Sequence, residues 1–148
     1  MAHTCTSCLM HIVFSTKLRQ PLITQTIETR LHAYLGGVVR EIGGTTLAVG
    51  GWIDHVHVLA DLPTSAAIAK SIQIIKTNSS RWMHDTTGMA FAWQEGYGAF
   101  SISRSHIDDT TAYIQRQAEH HRHHTFQEEY RIFLDRNGIT PDERYLWG

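Results

Sequence analysis

Apolar residues recur along the chain with two different periods, and their order predicts the fold. The first run, residues 8–16, holds Leu9, Met10, Ile12, Val13 and Phe14; it is short, rich in β-forming residues and reads as a strand. After a break at Arg19-Gln20-Pro21, Ile23, Ile27, Leu31, Tyr34/Leu35, Val38 and Ile42 recur at steps of three to four. That spacing is one face of a helix of about five turns, which Gly43-Gly44 ends. Residues 45–49 and 52–60 read as two strands, with Gly50-Gly51 as the hairpin turn between them. A second helix is expected from Pro63-Thr64, with Thr64 or Ser65 as its N-cap. Its apolar face is Ile68, Ile72, Ile75 and Trp82, and Gly88 closes it. Residues 99–103 form a fourth strand. Ser105 with Asp108 is a capping-box-like pair that starts a helix running to about His121. Thr125 with Glu128 is a second capping box, for a last helix through Arg136 that Asn137-Gly138 stops. The order βαββαβ followed by helices predicts an α+β fold: a ferredoxin-like sandwich with an antiparallel sheet, helices on one face, and C-terminal helices that carry Tyr113.

Composition narrows the class. A chain of 148 residues is the length of one domain, taken as residues 1–148, and 42% hydrophobic residues exclude disorder. No stretch approaches the ~18 apolar residues of a membrane helix, and residues 1–8 lack the basic segment and apolar run of a signal peptide. A cytoplasmic protein with no membrane partner is expected. Net charge is −1, yet residues 1–84 carry seven Lys/Arg against four Asp/Glu, and residues 85–148 six against ten. A positive patch on the first half is compatible with that asymmetry. Cys5 and Cys8 form a C-x-x-C with no second pair to complete a zinc site, and are expected to be buried or half-buried thiols without function. Eleven histidines, four of them at 120, 121, 123 and 124, call for an explanation.

The third predicted strand contains His55-Val56-His57-Val58. Successive strand side chains point to opposite faces, so the two valines share one face and the two histidines the other. If the helices cover the valine face, the imidazoles stand side by side on an open face, ~6–7 Å apart, close enough to hold one ion. A polar outer face is the plainer reading of two histidines alone, because a metal needs further ligands. Tyr113 and Gln117 are four residues apart on a predicted helix and share a face. Taken together the pieces suit phosphodiester chemistry. A phenol with a pKa of ~10 is a poor nucleophile at neutral pH and needs a polarised phosphate. A divalent ion on two imidazoles and the Gln117 amide oxygen would leave positions open for phosphate oxygens.

On these residues the sequence resembles the bacterial insertion-sequence transposases of the HUH, single-tyrosine type, which act on single-stranded DNA. The resemblance runs through residues 11–17, the HUH strand at residues 54–59, Ile75-Lys76 with residues 79–82, Trp93-Gln94-Glu95-Gly96-Tyr97-Gly98-Ala99-Phe100-Ser101, Tyr113-Ile114 with Gln117, His120-His121, and residues 126–134. It implies His55, His57 and Gln117 as metal ligands and Tyr113 as the nucleophile, forming a 5′-phosphotyrosine and releasing a 3′-hydroxyl, with strand transfer as the reverse step. It further implies Mg²⁺ or Mn²⁺ as cofactor, DNA hairpins with flanking single strand as substrate, and a homodimer with composite active sites. Imidazole ligands favour Mn²⁺ over Mg²⁺.

DNA contact would require Lys17, Arg19, Lys70, Lys76, Arg81 and Arg104 to gather on one side. Trp82, Trp93 and Tyr97 are candidates for base stacking, with burial expected for Trp82. Of the four clustered histidines, three read as a polar helix end, and His121 is left open between that reading and a place at the metal or as a proton acceptor for Tyr113. Competing readings are a non-catalytic or domesticated single-strand nucleic-acid-binding module, a small-phosphoester hydrolase in which Tyr113 only orients water, and a structural protein with a histidine-rich surface.

Overall fold

Alternation of side chains in two central strands decides how the sheet is covered. β1 (Leu9–Ser15) pairs antiparallel with β3 (His55–Asp61), with Ile12 opposite Val58 and Phe14 opposite Val56. These residues point to one face, where they meet Leu31, Leu35 and Val39 of α1 (Gln25–Glu41) and Ile72 and Ile75 of α2 (Ile68–Thr87), all fully buried. β2 (Thr45–Trp52) flanks β3 and β4 (Gly98–Ser101) flanks β1, giving the strand order β2-β3-β1-β4 with every pair antiparallel. The result is the expected α+β sandwich of βαββαβ order. The computed structural model describes residues 3–148; Met1 and Ala2, at the head of the segment expected to carry no leader, lie outside the described residues. Among the described residues no helix is long and apolar enough to cross a membrane.

Helices also cover the second face of the sheet: α3 (Ile107–Gln115), α4 (Gln117–His120) and α5 (Phe126–Arg136). Leu59 packs there against Ile114, and Val13 against Phe126, Tyr130 and Leu134. The Thr125–Glu128 capping box forms as the sequence predicts. Asn137 ends α5, and Gly138 follows in the left-handed region.

Four local expectations are corrected. The hairpin turn lies at Ile53-Asp54, and Gly50-Gly51 lie inside β2. The reason is close packing: a Cβ on Gly50 would stand 2.3 Å from the Ile114 carbonyl oxygen, so the strand needs glycine where α3 crosses it. α2 begins at Ile68 with Ala67 as an N-cap that makes no side-chain bond. The Leu62 N–H still donates to the Cys8 carbonyl at 3.0 Å, so the chain is tied to the end of the β1–β3 ladder when it reaches Pro63, and residues 64–66 turn before the helix can start. Ile68 is consequently left 38% exposed, and Met83 fills the buried position next to Trp82, which stacks half-buried on Tyr34. Ser105 does not cap α3: its hydroxyl meets that of Ser103 at 2.8 Å, residues 104–106 form a 3-10 turn, and His106 precedes the helix. β4 is also shorter than predicted, ending at Ser101.

Gly50→Ala is expected to destabilise the fold by roughly 1–3 kcal/mol, the usual cost of overpacking, because the clash is with backbone. Urea denaturation checks this; a variant as stable as wild type would show that α3 does not bear on β2 at this point.

Candidate active site

β3 presents His55 and His57 on the face opposite Val56 and Val58, as strand parity requires. That face is not open, which corrects the expectation of exposed imidazoles: both histidines have no exposed surface, because α3, α4 and α5 lie over them. Gly50 pairs with His57 across β2–β3. The missing side chain lets Ile114 come down onto the strand, and its neighbour Tyr113 then lies with its ring 5.8 Å from that of His57. The predicted single helix from 105 to 121 is interrupted at Arg116 (φ −102°, ψ 23°), so Tyr113 and Gln117 stand on either side of a kink. They remain together, with the Gln117 amide donating to the Tyr113 carbonyl at 3.3 Å.

The site is organised around a residue that sequence reasoning did not single out. Glu129 of α5 is 2% exposed. Its Oε1 lies 3.0 Å from His57 Nε2 and 3.3 Å from His55 Nε2. Its Oε2 accepts a hydrogen bond from the Tyr113 hydroxyl and lies 3.2 Å from His120 Nε2 and 3.5 Å from His121 Nε2. Gln117 Oε1 bridges His55 Nε2 at 3.0 Å and His121 Nε2 at 2.9 Å. Behind these groups, Asp54 holds His55 Nδ1 at 2.8 Å, and His11 of β1 holds His57 Nδ1 at 2.8 Å.

Protonation follows from this geometry. His55 faces acceptors at both nitrogens, so both carry protons. Burial pulls its pKa down, but hydrogen bonds to Asp54 and Glu129 and their charges outweigh that and hold it at about 9. His57 is pushed down by burial, the Glu129 carboxylate only partly offsetting it. A neutral His57 that donates from Nε2 to Glu129 must accept at Nδ1, so His11 donates to it. His11 itself is lowered to about 3, by burial first and by His57 second. Burial raises Tyr113 well above the ordinary tyrosine range, and the Glu129 charge adds to this. Glu129 is pulled far below the usual carboxylate range: burial opposes ionisation, and the histidine hydrogen bonds overcome it.

The residues fit a divalent cation. Ligating atoms of His55, His121 and Glu129 all lie within 4.8 Å of one another, and the Gln117 oxygen bridges two of these residues. Imidazole, carboxylate and amide donors suit Mn²⁺-like ions. The outer nitrogens of His55 and His57 are held by Asp54 and His11, the support that metal-binding histidines generally have. All four sequence-predicted residues, His55, His57, Tyr113 and Gln117, meet here. His121 joins them, and so does His120, which was expected to be only a polar helix end. A signal for Glu129 exists in the sequence: it falls among Phe126, Tyr130, Phe133 and Leu134 at steps of three and four, a charge on an otherwise apolar stripe.

Other candidates lie elsewhere. Lys76 is committed to structure: its ammonium donates to the carbonyls of Gln94, Glu95 and Gly96 at 2.7, 2.9 and 2.8 Å, and burial lowers its pKa to about 8. Lys17, Lys70, Arg81 and Arg104 are exposed. Trp93 is buried against Phe14 and Phe91, whereas Tyr97 is partly exposed. Cys8 is half-buried, but Cys5 is exposed, because residues 3–7 precede the first strand without packing on the core.

The family described as Transposase IS200 like matches residues 4–117. A crystal structure of a Deinococcus radiodurans R1 protein provisionally assigned as a transposase is similar, with 18% identity and a TM-score of 0.65 over 79% of this chain and 95% of that one. A REP-associated tyrosine transposase bound to a REP hairpin is similar at 15% identity, with a TM-score of 0.60 over 82% of this chain and 72% of that one. No curated protein matches the chain.

In the metal-free protein, the His55 ring is expected to titrate near pH 9, and Glu129→Gln to bring that titration down. Because the folded-state pKa is raised, the pairing stabilises the fold fully below the unfolded value of ~6.5 and is lost as pH rises through about 9. NMR of the ring protons checks this; a His55 that titrates below 6.5 in wild type would contradict the assignment of two protons.

Proposed function

The chain belongs to the IS200-like transposase family and is therefore a DNA-processing enzyme, and from that premise we propose that it breaks and rejoins single-stranded DNA through Tyr113. Residues 1–148 are read as one domain carrying one such site. The observation that carries the proposal is the convergence of His55, His57, Gln117 and Tyr113 on the buried Glu129 carboxylate. DNA hairpins with single-stranded flanks are the proposed substrate; a similarly folded tyrosine transposase is bound to a REP hairpin.

In this reading His55, His57 and Gln117 hold a divalent cation, Mg²⁺ or more favourably Mn²⁺, with Glu129 and His121 at hand as further ligands. An ion bound there would supply Lewis-acid polarisation at the scissile phosphate. The chain's own residues do the rest. Glu129 Oε2 fixes the Tyr113 hydroxyl by accepting its hydrogen bond, which orients the oxygen for in-line attack. The phenol is held protonated by its surroundings, so its proton must leave as the phosphorus–oxygen bond forms. Glu129, held far below the carboxylate range, only orients that proton; His120, whose pKa burial lowers and whose Nε2 lies 3.4 Å from the hydroxyl, is the neutral base that takes it and can return it to the departing 3′-oxygen. Tyr113 becomes joined to the 5′-phosphate and a 3′-hydroxyl departs. The phosphotyrosine conserves the energy of the broken ester, so attack by another 3′-hydroxyl can reseal the strand without a nucleotide cofactor. Tyr113 meets the histidines of its own chain, which supports catalysis within one subunit; a homodimer with composite sites would require α3 to leave this contact.

The geometry favours this reading over a domesticated binding module, since such a module has no use for a buried tyrosine–carboxylate–histidine cluster. The test is incubation with Mn²⁺ or Mg²⁺ and labelled single-stranded hairpin DNA from the flanks of the gene. A denaturant-resistant protein–DNA adduct is expected that needs metal, retains the label 3′ to the nick, and disappears in Tyr113→Phe. Binding without cleavage would favour the module, and cleavage without an adduct would favour hydrolysis.

A further inference from the structure

Beside the active site the chain between β1 and α1 takes a conformation that its sequence should avoid. Leu18 (φ 57°, ψ 20°) and Arg19 (φ 55°) both lie in the left-handed region, which is unfavourable for residues with a Cβ and rare for two in succession. The turn is nevertheless locked. The Arg19 N–H donates to the Thr16 carbonyl at 3.0 Å, and the Thr16 hydroxyl to the Gln20 carbonyl at 2.7 Å. The Thr16 N–H donates to the Asp54 carbonyl at 2.8 Å. The strained turn is therefore held in register with the residue that orients His55.

Strain at this turn has a visible result. Leu18 is 73% exposed, and Ile53, on the neighbouring β2–β3 turn, is 39% exposed. Both line an open pocket of about 550 Å³ with Arg19, Trp52, His121 and Arg122. Trp52 stacks on His121, and the Arg19 guanidinium lies 5.6 Å from the centre of the Trp147 ring. The one acidic side chain of the lining, Asp54, is engaged with His55. Among the described residues Arg122 pairs only with the exposed Glu119. Apolar and aromatic surface beside guanidinium groups is the complement of a nucleotide, with a flat base and an anionic phosphate. The pocket touches Asp54 and His121, so its occupant would be continuous with a strand lying at the active site.

We propose that this pocket seats a nucleotide next to the scissile phosphate, with Leu18 against its base and Arg19 at its phosphate. The proposal rests on the DNA-processing reading above. It requires single-stranded DNA, because the bases of a duplex are stacked out of reach of Leu18.

Fluorescence anisotropy with a labelled mixed-sequence oligonucleotide of about 16 nucleotides, a length matched to single-strand site sizes, tests this against the same sequence as a duplex. Wild type is expected to prefer the single strand. Leu18→Gly is expected to raise Tm, because glycine accepts the left-handed conformation, while weakening single-strand binding about fivefold, the worth of a half-buried leucine. Arg19→Gln is expected to weaken binding and to reduce the slope of log K against log salt by about 0.7 between about 50 and 200 mM. A merely structural turn predicts a higher Tm for Leu18→Gly with unchanged binding; that result, with an unchanged salt slope for Arg19→Gln, overturns the pocket and leaves the family reading intact. A wild-type protein that binds neither form overturns the pocket, and one that also fails to bind the hairpin DNA from the flanks of the gene overturns both.

Discussion

A single buried carboxylate holds the functional half of this molecule together. An ionised carboxylate loses several kcal/mol on leaving water unless partners compensate it, and Glu129 is compensated by His55 and His57 from β3, His120 and His121 around α4, and Tyr113 from α3. These groups come from separate elements. Apolar contacts of Ile114 with Leu59 and of Phe126, Tyr130 and Leu134 with Val13 bring the helices onto the sheet, and the common need for Glu129 adds a polar constraint on how α3, α4 and α5 lie there. The same cluster supplies the donor types of a metal centre, so the groups that constrain the helices are also those that would hold the ion.

The two faces of the sheet divide the work. Ile12, Phe14, Val56 and Val58 meet α1 and α2 in an apolar core whose stability comes from burial and dense packing. The opposite face mixes small apolar clusters with histidines. Glycines make its geometry possible: Gly50 admits the backbone of α3, and a Cβ on Gly98 would stand 2.9 Å from the Tyr130 ring of α5. Each glycine lies in a strand where regularity alone would favour a β-branched residue. Both are placed where a helix carrying a site residue comes down onto the sheet.

The turn after β1 makes a similar exchange of local for global preference. Two residues with unfavourable backbone angles are retained because Thr16 ties them to Asp54. Lys76 serves the opposite purpose, drawing the carbonyls of residues 94–96 together and fixing the segment that leads into β4. A basic residue in a DNA-processing enzyme is thus not automatically a phosphate ligand.

Short-range periodicity was sufficient for much of this. The short β-rich run of β1, the alternation in β3, the spacing of Ile27, Leu31 and Leu35, and the Thr125–Glu128 box are local signals, and they determined the element types, the βαββαβ order and the face on which His55 and His57 would stand. Tyr113 and Gln117 were legible as a four-residue pair for the same reason. What covers the histidine face was not, because packing between distant segments leaves only a faint mark in sequence. Glu129 lies 72 residues beyond His57 and past the segment that matches the family; its mark is one charge in an apolar stripe. Gly50-Gly51 carried the opposite difficulty. Locally a glycine pair signals a turn, and only the approach of Ile114 from 64 residues away makes it a strand. Local spacing set the secondary structure, and the tertiary structure alone decided which buried charge the histidines share, because that depends on desolvation and contact between elements that no window of the sequence contains.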